Sequence, residues 1–139
     1  MTIDIPDMPK EVAAAFARIP APFMEPVLLL RRWIFAEAAA RPEVGEIVET
    51  LKWGEMSYLT QSPRSGTTIR IAAWDRPDKG LGFGLFVPCQ TTLIAQFKEL
   101  HGNAFRFDKN RGIVFAREEE LREAPLRHFI ALAHTYHLG

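Results

Sequence analysis

The sequence predicts an α+β fold: a single domain in which an antiparallel sheet of about five strands packs against helices. Three observations lead there. Prolines at Pro9, Pro22, Pro42 and Pro125 each open a stretch whose apolar residues recur at helical spacing. From Glu55 the apolar period changes to two, the spacing of a half-buried strand. The chain has 139 residues, which suits one hydrophobic core, read as a helical pair over 1–41 followed by an α+β core over 42–138.

The elements follow in order. Asp7 and Pro9 begin a helix carrying Val12, Phe16 and Ile19. Pro20 and Pro22 end it and open a second helix that runs to about Ala40. Val27, Leu28, Leu30, Trp33, Ile34 and Ala38 leave that helix only a narrow polar stripe of Arg31, Arg32 and Glu37, so it is expected to be covered on more than one side. A third helix is expected from Pro42, with Val44, Ile47, Val48 and Leu51 inward and Glu43, Glu46 and Glu49 opposite. Strands are expected at Met56–Thr60, Thr67–Trp74, Leu81–Val87, Ala104–Phe107 and Gly112–Phe115. Turn residues at Ser62–Gly66, Asp75–Gly80 and Asp108–Asn110 separate them. A helix from Thr91 to about His101 lies between the third and fourth strands. The last helix starts at Pro125 and carries Leu126, Phe129, Ile130, Ala133 and Tyr136 on one side.

Composition narrows the function classes. The 17 basic and 17 acidic residues cancel, so no overall field draws the protein to nucleic acid or to an anionic membrane. Val27 to Leu30 meets Arg31 after four apolar residues, too few to cross a bilayer. The start of the chain is acidic and broken by Pro6, unlike a signal peptide. The single cysteine, Cys89, forms no internal disulfide, and a cytoplasmic, reducing location is expected.

Several motifs invite chemistry and yield plainer readings. Gly80-Leu81-Gly82-Phe83-Gly84 lacks the third glycine of the dinucleotide fingerprint, because Leu85 stands there and a strand follows. It reads as a strand whose Gly82 and Gly84 let something approach the backbone. His134 and His137 are three residues apart but have no third ligand nearby, so no metal site is expected. The run Glu118, Glu119, Glu120 and Glu123 reads as a solvated helix start. No nucleophile–base pair is visible, so no catalytic residue and no cofactor are expected.

The richest segment is Lys52-Trp53-Gly54-Glu55-Met56-Ser57-Tyr58, with two amphipathic rings around a glycine. These rings either line a pocket or belong to the core with one polar atom satisfied. Arg70 falls opposite Ile69 and Ile71 and therefore needs a carboxylate, water or ligand. The helix after Cys89 has no acid in Leu93-Ile94-Ala95-Gln96, so its N-terminus is a candidate anion site. The expected site gathers Trp53, Glu55, Tyr58, Arg70, Gln90, Thr91, Thr92 and Arg111, with an Arg70–Glu55 ion pair as the competing outcome.

Lys52-Trp53-Gly54-Glu55 with Tyr58, Ser65-Gly66-Thr67-Thr68-Ile69-Arg70, Cys89-Gln90-Thr91-Thr92-Leu93, Asn110-Arg111 and Tyr136-His137 together resemble the YdhG-like family, a bacterial domain of unknown function. The resemblance covers about Glu43 to His137. Met56 stands where the family usually has proline. The resemblance implies a compact α+β fold and supplies no activity. A relative in the wider group is described as a frataxin-like iron chaperone, which implies iron handling as an alternative function. The leading expectation is a non-enzymatic binding module for a small polar or anionic ligand or a protein partner, with no nucleic acid and no membrane. Cys89 has no base nearby in sequence, so Cys89→Ser is expected to change any measured function by less than about tenfold. Loss of that function with melting intact would assign the thiol a role.

Overall fold

The computed structural model describes residues 5–76, 78 and 80–138. Met1 to Asp4 and, within the expected polar loop, Pro77 and Lys79 lie outside the described residues. Among the described residues there are four α-helices: α1 (Lys10–Ala17), α2 (Ala21–Ala39), α3 (Leu93–His101) and α4 (Glu123–His134). Six strands form one antiparallel sheet: β1 (Ile47–Lys52), β2 (Glu55–Thr60), β3 (Ile69–Arg76), β4 (Gly80–Phe86), β5 (Arg106–Asp108) and β6 (Gly112–Phe115). Their order across the sheet is β1-β2-β3-β4-β6-β5. The first four make a meander, and the β5–β6 hairpin joins after α3 with β6 beside β4.

The α+β class holds, with six strands where about five were expected. The extra strand is the misread third helix. Pro42–Val44 makes only one 3₁₀ turn, and Gly45 at φ +79° ends it. Ile47 to Lys52 then runs extended as β1, paired with β2 from Ile47–Thr60 to Lys52–Glu55. Val44, Ile47, Val48 and Leu51 fit helical spacing, but β-branched Ile47, Val48 and Thr50 suit a pleated surface better. Other boundaries shift slightly. β3 starts at Ile69, because the Thr67 amide donates to the Ala133 carbonyl at 2.9 Å instead of to a neighbouring strand. Tyr136 lies in the turn beyond α4.

The core sits on one side of the sheet. Met56, Tyr58, Ile69, Ile71, Phe83, Leu85, Ile113 and Phe115 point to that side. They meet Val12, Phe23, Val27, Leu30, Trp33 and Ile34 from α1 and α2, and Ile94, Phe97, Phe129 and Ile130 from α3 and α4. The N-terminal helical pair therefore shares its core with the rest of the chain. Phe97 sits among Phe105, Phe107 and Phe129, with ring centroids 5.2 to 6.3 Å apart.

Ser65-Gly66-Thr67 fastens the end of α4. The Ser65 hydroxyl donates to the Val44 carbonyl at 3.0 Å, and the His137 amide donates to the Ser65 carbonyl at 2.9 Å. The Gly66 amide donates to the Thr60 hydroxyl at 2.9 Å. A Cβ at Gly66 would stand 2.3 Å from the Ala133 carbonyl oxygen, so only glycine fits this approach. Through the Thr67 amide the loop occupies the Ala133 carbonyl, at the end of α4 where carbonyls lack α-helical partners.

Inside α4, His134 is buried, with its Nε2 bonded to the Ile34 carbonyl at 3.0 Å. Burial lowers the imidazole pKa, and the Ile34 bond opposes the shift in part. The native ring is thus harder to protonate than the unfolded one. Its stabilising contribution is complete above the unfolded value of about 6.5 and is lost as pH falls towards the lower native pKa. The urea midpoint is expected to fall between pH 7.5 and 5.5, and to fall less in His134→Gln. Equal pH dependence in the two proteins would remove His134 as the cause.

Candidate functional site

The helices leave the other face of the sheet open among the described residues. Strand register gives its layout. One row across the strands reads Ser57, Arg70, Phe86, Gly112, Asp108. The row beside it carries Ala72, Gly84, Val114 and Arg106. Trp74 and Gly82 face each other in the next.

Glycines let two rings lie against the backbone. A Cβ at Gly82 would meet the Trp74 indole at 2.7 Å. A Cβ at Gly112 would meet the Phe86 ring at 2.5 Å, and one at Gly84 would meet the Ile113 carbonyl at 2.6 Å and that ring at 3.1 Å. The glycine pattern thus admits the protein's own aromatic side chains, which cover sheet positions that lack side chains of their own. Trp74 and Phe86 touch edge to face, centroids 6.1 Å apart.

Around these rings is a depression of about 660 Å³. Its floor includes Ala72, Gly82, Trp74, Phe86 and Val114, and its charged lining is Arg70, Arg76, Arg106 and Arg111 against Glu55 and Asp108. Arg70 Nη1 donates to Glu55 Oε1 at 3.2 Å, and Arg111 Nε donates to Asp108 Oδ2 at 3.1 Å. Among the described residues no other acceptor engages either guanidinium. Each arginine carries five N–H donors, so most remain for a ligand or water. Across three strand spacings, Arg70 and the β5–β6 arginines stand at opposite ends of a site about 14 Å long.

The eight expected site residues do not come together. Glu55, Arg70 and Arg111 line the depression. Trp53 is 92% exposed at the tip of the β1–β2 hairpin, where Trp53 (φ 56°) and Gly54 (φ 76°) form a two-residue turn. Tyr58 faces the core and is fully buried. Gln90, Thr91 and Thr92 lie before α3, and Thr92 lines a separate depression with Glu43, Gln96 and Tyr136. At the expected anion site, the two amides that lead into α3 have partners within the protein, while α3 itself has no side-chain cap. The Thr91 amide donates to the Pro88 carbonyl at 3.1 Å and the Thr92 amide to the Tyr136 hydroxyl at 3.1 Å. Trp74, Arg76, Phe86, Arg106 and Asp108 are among the lining residues that sequence reasoning missed. The signal was present in part, since alternation places Trp74 and Gly82 on the face of Arg70, but the register was needed to oppose them.

Tyr58 instead belongs to a buried network. Arg31 Nε donates to Glu49 Oε2 at 2.6 Å and Nη2 to Oε1 at 2.9 Å, with side-chain exposures of 8% and 4%. The Tyr58 hydroxyl donates to Glu49 Oε2 at 2.8 Å, and Arg31 Nη2 also donates to the Pro6 carbonyl at 2.6 Å. The guanidinium lies 5.0 Å from the Phe35 ring centroid, and Phe35 meets the Tyr58 ring edge-on. Hydrogen bonding to Glu49 raises the Arg31 pKa, and burial followed by the Glu49 charge raises that of Tyr58. The cation, carboxylate and neutral phenol are mutually satisfied, which makes this an architectural network.

Among the described residues, no group of three or more His, Cys, Asp and Glu side chains is placed to hold a metal ion. Glu120 is taken up by Arg106 at 3.1 Å and the Ala116 amide at 3.2 Å. Cys89 is exposed, with Sγ 3.7 Å from Gln90 Oε1. No described helix is long and apolar enough to cross a membrane. Comparison with protein-family models, curated proteins and solved structures finds no match for the chain.

Removing one partner of the Arg31–Glu49 pair strands a buried charge. Arg31→Ala is expected to destabilise the fold by about 3–5 kcal/mol. Tyr58→Phe, which deletes one hydrogen bond to a charged acceptor, should cost about 1.5–3 kcal/mol. Urea denaturation measures both, and a loss in Arg31→Ala no larger than in Tyr58→Phe would contradict this assignment.

Proposed function

We propose that this chain is a non-enzymatic, YdhG-like binding module whose ligand is a small anion with a flat apolar part, held on the open face of the sheet. The observation that carries the reading is that Arg70 and Arg111, each giving one donor to a carboxylate, line the same depression as the Trp74–Phe86 floor. Guanidinium forks suit carboxylate or phosphate oxygens, and aromatic faces suit a planar body. Glu55 and Asp108 keep both arginines oriented and set the selectivity, because a ligand must displace or share a carboxylate to bind. The likeness to the YdhG-like family supports a small α+β domain and names no reaction.

Iron handling is the alternative, with Glu118, Glu119 and Glu120 as its candidates. The engagement of Glu120 by Arg106 favours the anion reading.

A thermal-shift screen separates the two, since a ligand of the native state raises the midpoint by mass action. Aromatic carboxylates, nucleoside monophosphates and Fe²⁺ are the probes. An anion should raise the wild-type midpoint, while Arg70→Ala and Arg111→Ala should each weaken its binding by about tenfold or more in titration calorimetry. Trp74→Leu should weaken aromatic anions more than aliphatic ones. A shift with Fe²⁺ alone, abolished by Glu119→Gln, would replace this reading with the iron one.

A further inference from the structure

Trp53 is the most exposed of the large apolar side chains among the described residues, and its backbone is in the left-handed region at φ 56°. That conformation suits Asn, Asp or Gly at the first position of a two-residue hairpin turn and is an outlier for a bulky residue. A Cβ at the neighbouring Gly54 would meet nothing within 4 Å. Strain and exposure at one residue, with little packing in return, mark a contact made to another molecule.

β1, which leads into the turn at Trp53, is a border of the sheet. Lys52 and Glu55 flank the turn and exchange their hydrogen bonds within the hairpin. By alternation Val48 and Thr50 also direct their backbone groups towards β2, and Ile47, Glu49 and Leu51 direct theirs outward. Among the described residues, the border therefore offers hydrogen-bonding groups to an added strand.

We propose that the occupant is a second copy of this chain, paired β1 to β1 in antiparallel fashion about a twofold axis through Thr50. Opposed residues in such a pair point to the same face, so keeping both helical layers on one side requires odd residues to oppose odd ones. With Thr50 on the axis, Glu49 opposes Leu51 and Val48 opposes Lys52. The turn that carries Trp53 then reaches the end of the other copy's β1, where Ile47 is half-buried. Glu46 lies diagonal to Lys52 of the other copy, so opposite charges meet at both ends. Moving the axis to Glu49 would set two carboxylates against each other, and moving it to Leu51 would shorten the pairing. The contact is independent of the open-face ligand site.

Sedimentation equilibrium over a concentration series tests this, using wild type, Thr50→Lys and Trp53→Asn. Wild type is expected to show a reversible monomer–dimer equilibrium. Thr50→Lys sets two ammonium groups against each other at the axis, and Trp53→Asn removes the indole. Each should weaken dimerisation by at least about tenfold. Trp53→Asn should also raise the melting midpoint of the monomer, because asparagine accepts the left-handed turn, so this variant decides the matter if Thr50→Lys does not fold. A wild type that sediments as a monomer throughout, or a dimer that neither variant weakens, overturns the proposal.

Discussion

Arg31 and Glu49 are eighteen residues apart in the chain, yet their side chains are buried together. A carboxylate on the inner side of an edge strand is acceptable only because a cation from α2 meets it with two hydrogen bonds and a phenol from β2 supplies a third. The pair therefore ties α2 to β1 and, through Tyr58, to β2. The same guanidinium reaches the Pro6 carbonyl and so anchors the segment before α1. Replacing such a network by apolar side chains can stabilise a fold, so its value here is in specifying one arrangement of helix over sheet. Slipping β1 by one residue would turn Glu49 outward and leave Arg31 buried without it.

The open face follows a different logic. β4 carries glycine where the face would otherwise need side chains, and Trp74 and Phe86 spread over the vacated backbone. Two large rings are thereby held on the sheet without a second layer of secondary structure. Arginines at the margins bring charge to an apolar floor, with one carboxylate each to orient Arg70 and Arg111.

What could be read from the sequence depended on how local the determining contacts are. β2, β3, β4 and the β5–β6 hairpin were legible because alternation and turn residues are local signals. β1 was not. Val44, Ile47, Val48 and Leu51 satisfy helical spacing, and the inward role of Glu49 depends on Arg31, a partner that no local pattern announces. At the candidate site, the outward direction of Arg70 and its Glu55 partner were visible from parity and chemistry. Trp53 and Tyr58 were grouped because they flank one glycine. The hairpin instead exposes the first and buries the second. At the start of α3, the Thr92 amide meets the hydroxyl of Tyr136, forty-four residues later, a partner likewise beyond any local pattern.

The Ser65-Gly66-Thr67 clamp on α4 also bears on how the chain is made. His134 bonds to Ile34 across one hundred residues, and Thr67 and Ser65 bond to Ala133 and His137 near the far end of the chain. On the ribosome, the meander β1–β4 can emerge and pair while the residues that close its inner face are still in the exit tunnel. Leu126, Phe129, Ile130 and Ala133 emerge after it, to cover apolar surface already exposed on the sheet and α2. Long-range closure of this kind leaves the nascent chain exposed to chaperones or to aggregation until α4 has emerged and docked.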